Sequence, residues 1–222
     1  MKCHYHINPA DYTLSYLQEN LLSRELIPSR EPLKQGLKEK FIILTENGIE
    51  TIEDLISVLK TKGKLEEFSQ LSGISNEYLT LLRREVNSYL PNPVPLSKFP
   101  GVSTDDISKL AQKGIKNSRH MFEKAGAETG RIDLFDSTGI SQETLDELVG
   151  LSDLARAYGV GPVFARILYD SGIHSIRELK SYTAEEVIML YEDTFQQKAD
   201  FSLRDMNFSL EIARSLDIGV DL

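Results

Sequence analysis

A short pattern that returns three times constrains this chain more than any other feature: Leu, three residues, Gly-Ile, then the start of an amphipathic stretch. It reads Leu44 to Gly48-Ile49, Leu110 to Gly114-Ile115 and Leu168 to Gly172-Ile173, with Leu55, Met121 or Leu179 seven residues after each Gly. The three glycines are 66 and then 58 residues apart. Glycine closes a helix in the left-handed conformation without a Cβ penalty, and the apolar residue after it can fill the corner between two helices. A recurrence at this period points to stacked helical units.

Two further elements travel with the pattern. Gly36-Leu37, Gly101-Val102 and Gly159-Val160-Gly161 precede the Gly-Ile pairs by 12 or 13 residues. Ser72-Gly73-Ile74 and Thr138-Gly139-Ile140 follow the first two pairs by 25 residues, whereas the region near Ala199 carries no Gly-Ile. Thr51, Ser75, Ser103, Asn117, Ser141 and Ser175 lie two or three residues after these glycines and are expected to be N-caps. Ser175 and Glu178 have the spacing of a capping box. Before the repeats, Asn8-Pro9 and the Leu14, Leu17, Leu21 stripe predict a helix over about residues 9–24.

The expected fold class is therefore all-α, with about three tandem helical-hairpin repeats of roughly 60 residues behind an N-terminal helix. Only Cys3 to Ile7 has the look of an extended segment. The cluster Pro91-Asn-Pro93-Val-Pro95 is the clearest division, because proline disfavours helix in the residue before it. It separates an expected domain at 1–92 from one at 93–222.

Leu154-Ala-Arg156-Ala157-Tyr-Gly159-Val160-Gly161-Pro-Val-Phe-Ala165-Arg166-Ile-Leu168 resembles the helix-hairpin-helix signature of DNA-binding proteins. The resemblance implies a tight turn at Gly159 and Gly161, a corner filled by Val160, and close helix approach at Ala165. Backbone N–H groups at such a turn form a concavity for phosphate without reading bases. The candidate nucleic-acid-binding residues are Arg156, Gly159, Val160, Gly161 and Arg166. The hairpin at Gly101 departs from the signature, since Ser103 replaces the second Gly and Asp105 and Asp106 follow.

The whole chain resembles an uncharacterised family described as a tandem helix-hairpin-helix domain of unknown function. The carrying residues are Leu26-Ile-Pro28-Ser29-Arg30, Tyr78 to Glu85, Phe99-Pro100-Gly101 and Val160-Gly161 through Asp170. The resemblance implies an all-helical fold and a nucleic-acid or scaffold role, with no known activity or catalytic residue.

Charge bears on the partner. The chain carries 34 acidic and 25 basic residues, a net charge of −9, which repels a polyphosphate on average. The imbalance is uneven: residues 101–124 and 154–180 are each +2, while 125–153 and 181–222 are each −6. The expected function is weak, salt-sensitive contact with the phosphate backbone of DNA or RNA through the 159–161 hairpin. The alternative is a protein–protein scaffold in which the hairpins are structural.

Other chemistry is thinly represented. One cysteine excludes an internal disulfide and a cysteine-rich metal site, and fits a cytoplasmic location. Cys3, His4 and His6 form a short soft-ligand tract that leaves metal binding open. No catalytic triad order or phosphate-loop motif stands out, and Asp170 falls only nine residues after Gly161. A non-enzyme with no cofactor and no membrane segment is expected.

Overall fold

A computed structural model describes residues 4–23 and 25–222. Among these, the regular structure is thirteen α-helices and three 3-10 turns, with no strand. The chain forms two compact units, one at Asn8–Leu90 and the other at Pro91–Leu222 joined by the start of the chain up to Ile7. Residues 4–7, expected within a domain at 1–92, group with the later unit.

In the first unit, α1 (Leu14–Ser23) buries Leu14, Leu17 and Leu21. The single helix expected over about 9–24 is interrupted. Pro9–Asp11 is a 3-10 turn, and the Asn8 side chain does not cap it. The break has a physical cause: Thr13 bridges to Thr51 in extended conformation. Leu14 N–H donates to Glu50 O at 2.7 Å, and Ile52 N–H donates to Tyr12 O at 2.9 Å. Then follow α2 (Leu37–Glu46), α3 (Ile52–Leu59), α4 (Lys62–Ser72) and α5 (Asn76–Ser88). Arg30 pairs at 3.3 Å with Glu85, a buried carboxylate on α5.

The second unit contains α6 (Thr104–Gln112), α7 (Ser118–Ala125), α8 (Glu128–Thr138), α9 (Gln142–Leu154), α10 (Pro162–Asp170), α11 (Ile176–Leu179), α12 (Ala184–Phe195) and α13 (Leu203–Ser215). Helices α7 to α9 begin and end 66 residues after α3 to α5. The bridge recurs too, as Pro95 with Asn117, flanked by Leu96 N–H to Lys116 O and Ser118 N–H to Val94 O. In both units the third helix of the trio packs on the other two.

The chemistry of the helix ends follows the recurring motif. Ile49, Ile115 and Ile173 are buried, and each N–H donates back to Leu44, Leu110 or Leu168. This six-residue closure needs the left-handed residue that Gly48, Gly114 and Gly172 provide. Thr51, Ser75, Ser103, Asn117, Ser141 and Ser175 all cap helices through their side chains. Glu178 does not complete a box with Ser175; its carboxylate accepts from His174 N–H instead.

Candidate nucleic-acid interface

The hairpin between α9 and α10 is built by two glycines with different duties. Gly159 sits at φ +76°, and a Cβ there would lie 2.9 Å from Ser209 Oγ on α13. The left-handed backbone favours glycine, and any Cβ would also press on that hydroxyl. Gly161 sits at φ −74°, ψ 178°, ordinary extended backbone, and a Cβ placed there would meet no neighbouring atom within 4 Å. The fold places no demand for glycine at that position. Val160 is buried in the corner, and Ala165 is fully buried where α10 meets its neighbours. Tyr158 packs on Phe208 and Phe164 on Phe201, so α13 and the segment before it back the hairpin.

Some of the hairpin's amides are already engaged. Val160 N–H donates to Ala157 O at 3.2 Å and Gly161 N–H to Gly159 O at 3.1 Å. Pro162, at the first helical position, has no N–H. What remains is the first turn of α10, with Val163 and Phe164 N–H and no capping side chain. Helices α3 to α7, α9 and α11 to α13 each begin on a Ser, Thr or Asn side-chain cap. The first turn of α10 also holds no carboxylate, whereas that of α6 holds Asp105 and Asp106 behind the Ser103 cap.

The two candidate arginines are not available to a phosphate. Arg156 is wholly buried. Its Nε donates to Tyr5 O at 2.9 Å, and Nη2 to His4 O at 3.2 Å and Asp217 O at 2.8 Å. Nη1 pairs with Asp153, and the guanidinium lies 4.3 Å from the Phe122 ring centroid. Burial pushes the Asp153 carboxyl up, while Arg156 and the Ile176 N–H draw it back down. Arg156 is thus the hub that fastens the start of the chain and the tail to the α9 end, which corrects its expected role.

Arg166 has a similar fate near the surface. It pairs with Glu147 and with Asp170 at 3.2 Å, and its Nε donates to Pro100 O at 2.9 Å. A Cβ on Gly101 would approach its guanidinium to 3.7 Å. Arg166 therefore joins the Gly101 hairpin to α10, and its charge is matched by two carboxylates. The remaining cations of 154–180 also face protein groups: Arg177 donates to Val220 O at 3.2 Å and Lys180 to Leu216 O. The +2 of that window is not a free basic surface.

Contacts between residues far apart in sequence hold the segments near both chain ends. Tyr5 OH lies 2.6 Å from Ser118 Oγ. His6 Nε2 lies 2.6 Å from Pro91 O, and Arg119 Nη2 is 2.8 Å from His6 Nδ1. Because a carbonyl only accepts and a guanidinium only donates, His6 is neutral with its proton on Nε2. Burial holds its pKa down, to about 4. Both ring nitrogens are occupied, so His6 is not a metal ligand in this arrangement; Cys3 lies outside the described residues. At the other end, Arg131 donates to Asp221 at 2.9 Å and to the Ala125 and Gly126 carbonyls, and pairs with Asp146. Asp221 in turn caps α8 by accepting from Glu128 N–H at 3.0 Å.

No helix among the described residues is long and apolar enough to cross a membrane. No curated protein and no solved structure matches the chain. Residues 100–204, from the Gly101 hairpin to the first turn of α13, are similar to a family described as Domain of unknown function (DUF4332).

Proposed function

We propose that the second unit is a tandem helix-hairpin-helix module, and that it contacts nucleic-acid phosphate weakly at the 159–161 hairpin, through the Val163 and Phe164 N–H groups that open α10 beside Gly161. The observation that carries this reading is Gly161 itself. A glycine with ordinary φ and open space around its Cβ position is not required for folding. It is required if a ligand approaches the backbone closely, as a phosphate does at an uncapped helix start. Arg166 supports the reading in a second way, because it tethers Pro100 to α10 and so keeps the two hairpins near each other.

The internal pairing of Arg156 and Arg166 changes the expected strength. Each phosphate neutralised by a side-chain cation contributes about −0.9 to the slope of log affinity against log salt. With these arginines engaged, the slope should be shallow, on the order of −1. The same pairing favours a second reading, a protein scaffold in which the hairpins only join helices. Anisotropy titrations with labelled duplex and single-stranded DNA and RNA separate the two. Binding at about 50 mM salt that declines toward about 200 mM supports phosphate contact. The absence of binding to every nucleic acid at low salt would leave the scaffold reading.

A further inference from the structure

Helix α8 differs from its counterpart α4 in where its exposed apolar side chains lie. The two helices occupy equivalent places, 66 residues apart, and bury equivalent positions: Leu65 and Phe68 on α4, Arg131 and Leu134 on α8. Their outward positions diverge. Where α4 has exposed Glu66 and half-buried Ser69, α8 has Ile132 and Phe135, which are 46% and 48% exposed, while the exposed Leu71 of α4 falls at Ser137 of α8. The same position in the same kind of helix is thus polar in one copy and apolar in the other.

The apolar pair stands in an acidic frame. Ile132 and Phe135 are one turn apart, with exposed Glu128 one turn before Ile132 and exposed Asp133 and Asp136 beside them. The cation of this helix, Arg131, is turned inward to Asp146 and Asp221. Leu222 is 38% exposed and follows Asp221, the residue that caps the first turn of α8. From 125 to 153 the chain has a net charge of −6.

We infer that the outward face of α8 binds a basic amphipathic helix of a partner protein, whose apolar residues meet Ile132 and Phe135 and whose Lys or Arg residues meet Glu128, Asp133 and Asp136. Charge complementarity selects this occupant. A nucleic acid would be repelled by the same carboxylates. A second copy of the chain lacks the complementary element, since no other described helix exposes two large apolar side chains. The mode is helix packing in which apolar anchors give affinity and rim charges give orientation and on-rate.

The test uses the full chain and a synthetic peptide helix with Leu at i, i+3, i+4 and i+7 and Lys on the remaining face, beside a scrambled peptide of the same composition. The amphipathic peptide should bind at least about tenfold more tightly than the scrambled one, because desolvated anchors carry most of the energy. The double variant Ile132→Glu, Phe135→Ser gives α8 the residues of α4. It should remain helical and cooperatively folded by circular dichroism and lose about tenfold in affinity. The variant Asp133→Asn, Asp136→Asn should weaken binding mainly at low salt. Equal binding of the scrambled peptide, or unchanged binding to the Ile132/Phe135 variant, would overturn the inference. A wild-type dimer in analytical ultracentrifugation that the same double variant abolishes would also overturn it, by assigning the face to a second copy.

Discussion

Replacing Arg156 by Met removes a charge at the centre of the second unit while keeping most of the side chain's length and apolar contact with Phe122. Asp153, 1% exposed, then loses its cationic partner and keeps the Ile176 N–H at 2.7 Å. The Tyr5, His4 and Asp217 carbonyls lose their guanidinium donors as well. Breaking a buried ion pair from one side costs about 3–5 kcal/mol, because the other charge stays buried without compensation. For a chain of this size that corresponds to a fall in melting temperature of roughly 10 °C. Urea unfolding followed by circular dichroism measures the loss, and hydrogen exchange assigns it to 91–222. Adding Asp153→Asn to Arg156→Met should restore part of the stability, since it removes the stranded carboxylate, with a coupling of about 1–3 kcal/mol. A loss below about 1 kcal/mol in the single variant, or losses that simply add, would refute the hub.

Three other perturbations probe the hairpin, a helix end and the N-terminal anchor. Gly159→Ala should destabilise by about 1–2 kcal/mol from the left-handed backbone, whereas Gly161→Asp should leave stability unchanged or raise it by a few tenths of a kcal/mol through an N-cap; thermal melts of the pair measure the contrast. Gln196 ends α12 at φ +52°, where α4 and α8 use Gly73 and Gly139, so Gln196→Gly should gain about 0.5 kcal/mol in chemical denaturation. His6 has a folded pKa lowered to about 4, below its ordinary value of 6.5. Its contribution is therefore complete above about pH 6.5 and disappears as pH falls through about 4, when Nδ1 would carry a proton against Arg119. An NMR titration of the His6 ring should show the depressed midpoint, and a midpoint near 6.5 would contradict the contacts described for it.

The parts of this architecture that rest on neighbours in the chain are legible in the sequence. The Gly-Ile corners, the six Ser, Thr and Asn caps and the buried Leu55, Met121 and Leu179 all follow from contacts within about two turns. Features that rest on distant partners are not. The one acceptor near Arg156 in sequence, Asp153, does not distinguish it from a surface arginine, because its carbonyl acceptors lie at residues 4, 5 and 217. Arg166 is similar, since Pro100 and Glu147 are remote in sequence. The break at Tyr12–Thr13 needs the Thr51 backbone opposite it. The left-handed end of α12 carries no signal because Gln196, not glycine, occupies it. Helix α8 hides its orientation because apolar residues lie on both its buried and exposed faces, as Leu134 and Phe135 do.

Whether phosphate approaches the backbone at Gly161 is decided by comparing wild type with Gly161→Asp in binding to labelled DNA and RNA at about 50 mM salt. The aspartate caps α10 and puts a carboxylate where the phosphate would sit. The expected result is a wild-type affinity that weakens roughly fourfold by about 200 mM salt, and a variant that melts no lower yet does not bind. Equal binding by the two proteins, or no wild-type binding to any nucleic acid, would contradict phosphate contact at this hairpin.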